Sequence, residues 1–362
     1  MKIKEICNIL ENIAPLSLQE NYDNSGLIIG NSNDEITGIL ISLDVTEEIV
    51  SEAIEKKSNL IIAHHPIIFG SLKSLNGKNY VERTIIKAIK NDISIYISHT
   101  NLDKVLVNKK ICEKLNLKNC HFLQNIKNEL KKLITYVPIN YVSKVRDSIF
   151  KAGAGHIGNY DSCSFNVMGE GTFRALENSN PFVGNLKEFH KEKEVKIETV
   201  FPKFNMKKVV SALIKSHPYE EVAYDIYNLE NSYKKAGDGI IGELENPLEE
   251  KVFLHNLKEI FDLKIIKHTK MLNKKIKKVA FCGGSGIFLL KNAINKNADI
   301  FITGDIKYHQ FFEAENKLIL ADIGHYESEK HIKEIFYEIF NKNFFNFAIH
   351  ISKVNTNPVF IF

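Results

Sequence analysis

His64 and His65 are adjacent in the stretch Ala63-His64-His65-Pro66, and a second pair of candidate ligands, His325 and Glu329, stands four residues apart. Consecutive side chains on an extended backbone point to opposite sides. Adjacent histidines are therefore poorly placed to chelate one ion and well placed to address two neighbouring ions. Residues four apart on a helix share a face, so His325 and Glu329 can share a metal. Asp103 adds a third kind of donor. Two ions held about 3.5–4 Å apart need a carboxylate able to bridge them, and both Asp103 and Glu329 qualify. Mixed imidazole and carboxylate donors suit zinc, iron, manganese or nickel better than magnesium or calcium. Five protein ligands leave positions on two ions open to water, as catalytic sites do and closed structural sites do not. His99 is either a further ligand or a partner that orients Asp103, and it is a candidate to assist the activated water. Asp305 and His309 either approach the metals or cap a helix. Each motif also has an ordinary reading, since a histidine pair before proline is often a turn and His-x-x-x-Glu recurs by chance.

The elements that carry these residues alternate between strand and helix. Strands are predicted at Ile39–Leu43, Leu60–Ala63, Ile93–Ser98, Val279–Cys282, Asp299–Thr303 and Leu318–Ala321, and helices over 81–91, 287–297 and 326–340. Asp44 and Glu47 can open a further helix as a capping box, and Ile3, Ile6, Leu10 and Ile13 mark an amphipathic first helix. Such alternation implies parallel sheets covered by helices. Ligands collect outside the carboxyl ends of parallel strands. His64-His65, His99 with Asp103, Gly304-Asp305 and His325 with Glu329 all follow such ends, so they are expected along one edge of the same sheet.

The stretch 128–231 breaks the pattern. It reads a strand at Leu133–Val137, a helix over 140–152, a hairpin or two short strands around Gly169, a strand at Val195–Phe201, a helix over 205–216 and a strand at Val222–Leu229, the strand-helix-strand-strand-helix-strand order of a ferredoxin-like sandwich inserted into the chain. The expected organisation is thus a metal-binding α/β domain in two parts, 1–127 and 232–362, around an α+β insert, 128–231. His217–Glu221 in the insert offers a histidine and two carboxylates, but a turn entering a strand is the preferred reading.

Composition bounds the function. The 362 residues are 44% hydrophobic and 25% charged, with a net charge of +4. These are the proportions of a globular protein, with no run long enough to span a bilayer. No basic stripe of the kind a duplex-DNA binder carries is present. Residues 263–298 hold nine lysines and no acid, read either as a solvated surface or as attraction for an anion such as a nucleotide. The loop Gly283–Gly286, between strand and helix, is a weaker candidate for an anion. The string Gly237-x-Gly239-x-x-Gly242 matches a dinucleotide fingerprint only as letters, because no convincing strand precedes it. Five cysteines without a Cys-x-x-Cys pair argue against a disulfide framework or thiolate zinc site and for a reducing cytoplasm.

Five stretches together carry a family resemblance: Asn21-Tyr22-Asp23-Asn24-Ser25-Gly26-Leu27, Ala63-His64-His65-Pro66, Ser98-His99-Thr100-Asn101-Leu102-Asp103, Thr303-Gly304-Asp305-Ile306-Lys307-Tyr308-His309 and Gly324-His325-Tyr326-Glu327-Ser328-Glu329. They resemble the dinuclear-metal-centre proteins known as GTP cyclohydrolase 1 type 2 homologues. Gly153–Tyr160 and His217–Glu221 likewise resemble the PII/CutA-like domain of the longer members. The resemblance implies two divalent ions per subunit on His64, His65, Asp103, His325 and Glu329, and a cytoplasmic, toroidal homohexamer with its metal sites facing an internal cavity. Two functions are compatible with it. One is a metal-dependent hydrolase acting on a nucleotide or related small molecule, for instance opening a purine ring. The other is a metal-binding regulator or scaffold whose insert senses a ligand.

Overall fold

The computed structural model describes residues 1–342 and 346–362. The chain divides into two compact units, Met1–Gln124 with Ala236–Phe362, and Asn125–Lys235.

The first unit is built on two sheets. In one, the short strands Gly38–Ser42, Leu60–Ala63 and Ser94–Ile97 lie parallel, buried throughout, and Ala348–Ile351 joins parallel beside Gly38–Ser42. Gly26–Ile29 closes the other edge, antiparallel to Ser94–Ile97. Strands apolar on both faces are what a sheet covered on both sides requires. The second sheet has a parallel centre of Lys275–Phe281, Ile300–Thr303 and Ile319–Asp322, with Lys267–His268 and Tyr233–Glu249 antiparallel at its flanks and Lys118–Ile126 outermost. The strands of each segment are thus shared: Ala348–Ile351 belongs to the first sheet and Lys118–Ile126 to the second. One hydrophobic cluster spans both sheets, including Ile39, Leu60 and Tyr96 from the first and Phe281, Ile300 and Ile319 from the second. The amphipathic helix Ile3–Ile13 adds Ile3, Ile6 and Leu10 to it.

Two expectations change here. The helix Glu47–Glu55 is capped by Thr46, whose side chain accepts from Ile49 N at 3.3 Å, and not by Asp44. Cys112 and Cys120 form a disulfide. The turn between the helix Asn108–Lys114 and the strand Lys118–Ile126 brings their Cα atoms to 6.7 Å, within bridging reach. The cysteines therefore give no argument for a reducing compartment.

The second unit has the expected order of strand, helix, strand, strand, helix, strand. Its four antiparallel strands stand in the spatial order Ser164–Arg174, Phe189–Pro202, Leu130–Pro138, Tyr224–Asn228, which is the ferredoxin-like arrangement. The helices Val142–Lys151 and Met206–Ser216 bury Val145, Ile149, Val209 and Leu213 against Leu133, Val137 and Ile197. Ser164–Arg174 is one continuous strand where a hairpin or two short strands were expected. Gly169 pairs with Glu194 in mid-ladder instead of turning the chain.

Candidate metal centre

The four polar groups at strand ends come from two sheets and not from one. His64 and His65 follow Leu60–Ala63, and His99 and Asp103 follow Ser94–Ile97, in the first sheet. Asp305 follows Ile300–Thr303, and His325 and Glu329 follow Ile319–Asp322, in the second. The unit brings them together, all but the fully buried His64 lining one cleft of about 1420 Å³. Asp103 opens a π-helical turn, Asp103–Val107, a feature often found at functional sites. His325 and Glu329 are one turn apart on the short helix His325–Glu329, Nε2 to Oε2 3.0 Å.

Each imidazole is fixed at Nδ1 by an oxygen. His64 Nδ1 donates to Ser98 O at 3.0 Å and His65 Nδ1 to Asp44 Oδ1 at 2.7 Å. His99 Nδ1 donates to Asp23 Oδ1 at 2.8 Å and His325 Nδ1 to Asp305 Oδ2 at 2.6 Å. An Nδ1–H spent on an oxygen leaves Nε2 as the lone-pair nitrogen, the arrangement that orients metal-ligating histidines. Nε2 of His64 is buried and has no hydrogen-bond partner among the described residues. Nε2 of His65 lies 2.9 Å from Glu329 Oε2 and 3.3 Å from His325 Nε2.

The donors fall into overlapping sets. Ligand atoms of His65, His325 and Glu329 lie within 4.8 Å of one another, as do those of His64, Asp103 and Glu329, and those of His64, His65 and His99. Glu329 belongs to the first two. Its Oε2 faces His65 and His325, and its Oε1 stands 3.9 Å from His64 Nε2. These clusters could hold metal ions. A buried nitrogen left without a partner costs free energy unless a donor or a cation satisfies it.

The electrostatics keep His64 neutral but favour a cation at His65 and His325, where a proton would occupy the Nε2 that a metal needs. Burial holds the His64 imidazole well below its usual value, keeping it neutral. Burial also opposes charge on His65 and His325, yet hydrogen bonds to carboxylates win and push them up to about 10 and about 9. Burial and the neighbouring Glu329 charge push Asp103 well above the carboxylate range. For Glu329 burial acts upward, but hydrogen bonds from His325 and His65 outweigh it and hold the group well below that range. The pocket thus gathers positive charge, and protons and metal ions compete for the same atoms.

The loop Gly283–Gly286 has a different task from the anion site expected of it. Gly284 N–H donates to Ser328 Oγ at 2.9 Å and Gly286 N–H to Thr303 Oγ1 at 2.8 Å. Gly284 has φ +59°, and a Cβ there would collide with Glu329 Oε1, so the loop makes room for that carboxylate. His309 is exposed and lies against Tyr308 and Phe312, outside the clusters. Asp305, at φ 56°, orients His325. His217 has both nitrogens engaged, Nε2 with Tyr136 O at 3.0 Å and Nδ1 with Tyr219 N at 3.1 Å. Its segment is a turn that enters the strand Tyr224–Asn228. Asp23 and Asp44 were not singled out from sequence as partners of the histidines. The sequence signals for them are slight: Asp23 lies within Asn21–Leu27 and Asp44 follows the buried strand Gly38–Ser42.

Comparison with known proteins agrees with this architecture. A model of the Duf34/NIF3 (NGG1p interacting factor 3) family matches residues 1–358. A Bacillus subtilis (strain 168) protein named GTP cyclohydrolase 1 type 2 homolog is 40% identical over 363 residues, 98% of this chain and 97% of that one. The crystal structure of a Bacillus cereus protein related to NIF3 superposes with a TM-score of 0.87 at 37% identity, covering 100% and 99% of the two chains. A Staphylococcus aureus structure gives 0.78 at 31% over the same shares. No helix among the described residues is long and apolar enough to cross a membrane. The chain belongs to the Duf34/NIF3 family.

Proposed function

We propose that the protein is a dinuclear-metal hydrolase acting on a nucleotide or related small molecule, with His64, His65, Asp103, His325 and Glu329 as the metal ligands. The observation that carries the reading is Glu329: one buried carboxylate whose two oxygens face two different donor sets, His65 with His325 and His64 with Asp103. That is the disposition a bridging carboxylate needs, and it favours Glu329 over Asp103 for the bridge. Divalent ions in such a pair would lower the pKa of water to about 7 and polarise a substrate oxygen or nitrogen.

The chain's own residues do the rest. Ser98 O, Asp44 and Asp305 hold the three ligand imidazoles in the tautomer that presents Nε2. His99, only slightly exposed and pinned by Asp23, stands with its ring 4.9 Å from that of His64. It is placed to accept or return a proton at the cleft wall. Asp23 in turn accepts from Thr100 N at 3.0 Å and from Thr100 Oγ1, so the dyad is rigid. The name of the Bacillus subtilis relative supports a guanine-type substrate. The ferredoxin-like strand order supports a PII/CutA-like insert. Exposed Phe165, Val167 and Met168 on its edge strand support burial against other copies, as in the homohexamer proposed here.

The test is a screen of nucleotides and nucleosides by mass spectrometry with zinc- or manganese-restored protein. Metal-dependent turnover that Glu329→Gln abolishes is expected. Tight binding without turnover by protein carrying both ions would overturn the hydrolase reading in favour of a metal-binding regulator.

A further inference from the structure

The charge around the cleft points away from a polyphosphate. Besides Asp103 and Glu329, the cleft is lined by Glu20, Asp44, Asp238, Asp305, Asp322 and Glu327, against Lys264 and Lys267. Lys267 is already bound to Asp322 at 2.9 Å. Elsewhere in the lysine-rich stretch, Lys278 and Lys296 hydrogen-bond backbone carbonyls and Lys275 pairs with Glu249. The N–H groups of Gly284 and Gly286 are spent on Ser328 and Thr303. Glu20 is paired with Lys104, Asp44 with His65 and Asp305 with His325, so a triphosphate here would find Lys104, Lys267 and these imidazoles already bound to carboxylates, with little free cation beyond the metals themselves.

The same walls suit a flat, uncharged ring. Tyr22, Phe69, Tyr80 and Phe288 line the cleft and are each more than half exposed, and aromatic faces of this kind stack on heterocycles. Asp238 supplies the polar contact. It is half-buried in the cleft wall, no hydrogen bond reaches its carboxylate among the described residues, and the charges it feels are those of Lys104, itself paired with Glu20, and of Glu20. A carboxylate in that setting is short of donors, and two adjacent N–H groups satisfy it bidentately. The flanking glycines fix its place. A Cβ at Gly237 would lie 2.7 Å from Phe122 Cγ, and one at Gly239, whose φ is +55°, 2.6 Å from Leu289 Cδ1. The glycine string that resembles a dinucleotide fingerprint is therefore the backbone that packs close and presents Asp238.

We propose that the cleft binds a planar nitrogen heterocycle with adjacent N–H donors, of the kind on the edge of guanine, as base or nucleoside and not as a polyphosphate, and that Asp238 accepts those donors. This deepens the hydrolase reading and rests on it for the place of the metals. The test measures binding and turnover separately, by equilibrium dialysis of zinc-loaded full-length protein with guanosine, inosine and GTP. Guanosine is expected to bind about 10-fold more tightly than inosine, which lacks the second donor, and more tightly than GTP. Asp238→Asn should erase the preference for guanosine while metal content stays unchanged. GTP binding more tightly than guanosine, with an affinity that falls as salt rises, overturns the proposal and leaves the hydrolase reading intact. So does a preference for guanosine that Asp238→Asn leaves unchanged. Failure of all three to bind overturns it as well. Selective guanosine binding lost in Asp238→Asn, with no turnover of any nucleoside, supports the proposal and overturns the hydrolase reading.

Discussion

His64 in the first unit and His217 in the second are both buried histidines beside carboxylates, and they differ in how their nitrogens are satisfied. His217 donates from Nε2 to Tyr136 O and accepts at Nδ1 from Tyr219 N, so both nitrogens are satisfied within the insert. Nearby Glu194 is likewise engaged, by Tyr219 Oη at 2.8 Å. His64 donates from Nδ1 to Ser98 O and leaves Nε2 buried and unpartnered, facing Asp103 at 3.6 Å. Burial alone does not distinguish a structural histidine from a ligand. The difference lies in which nitrogen still lacks a partner and what stands opposite it.

The sharpest way to break that comparison is Glu329→Gln. It keeps size but removes the charge shared by the two donor sets, so binding of at least one ion should fall steeply, as elemental analysis after dialysis will read. Retention of both ions would remove Glu329 from the bridge. Asp44→Asn comes next. It keeps a hydrogen-bond acceptor but not the charge behind His65, and loss of such a partner costs about 10–100-fold in metal affinity. Competition with a chromophoric chelator measures this, and an unchanged affinity would show that Asp44 does not orient the ligand.

His217→Gln should leave metal content alone and destabilise the insert by about 1–3 kcal/mol, the cost of unsatisfied buried hydrogen bonds, seen as a lower thermal midpoint. Metal loss in this variant would refute the division drawn between the two histidines. The pH dependence of the insert sharpens the same point. Burial, the largest influence, holds the His217 imidazole below its usual 6.5. The unfolded chain therefore takes up a proton near 6.5 that the folded insert refuses. Stability should fall as pH drops below 6.5 and level off below the folded value. Denaturant midpoints across that range in wild type, but not in His217→Gln, should show the slope. His309→Gln, at an exposed position beside Tyr308 and Phe312, is expected to change neither metal content nor stability measurably, and loss of an ion from it would mean the ligand set is misassigned.

Much of the centre was legible in sequence because its logic is local. His325 and Glu329 share a helical face, and buried apolar runs such as Leu60–Ala63 locate the strand ends that carry the donors; His64 and His65, by contrast, sit in a bend with their rings 4.9 Å apart instead of diverging as an extended backbone would send them. What sequence left hidden depends on distant contacts. Asp23, Asp44 and Asp305 reach their histidines across 76, 21 and 20 residues, and no periodicity links such positions. The donors stand on two sheets instead of one because Leu60–Ala63 and Ser94–Ile97 pair in one sheet while Ile300–Thr303 and Ile319–Asp322 pair in another, a choice of partners that no local pattern sets. Gly169 looked like a turn because glycine is permissive, yet its neighbours pair across the whole strand. The disulfide escaped because eight residues of separation form no recognisable motif.

The central claim is that one carboxylate joins two donor sets into a dinuclear site. Metal content per chain, measured by elemental analysis on full-length protein offered excess zinc or manganese and then freed of unbound ions, tests it most directly. The account predicts two ions per chain; a stoichiometry that stays at one under excess metal would contradict it.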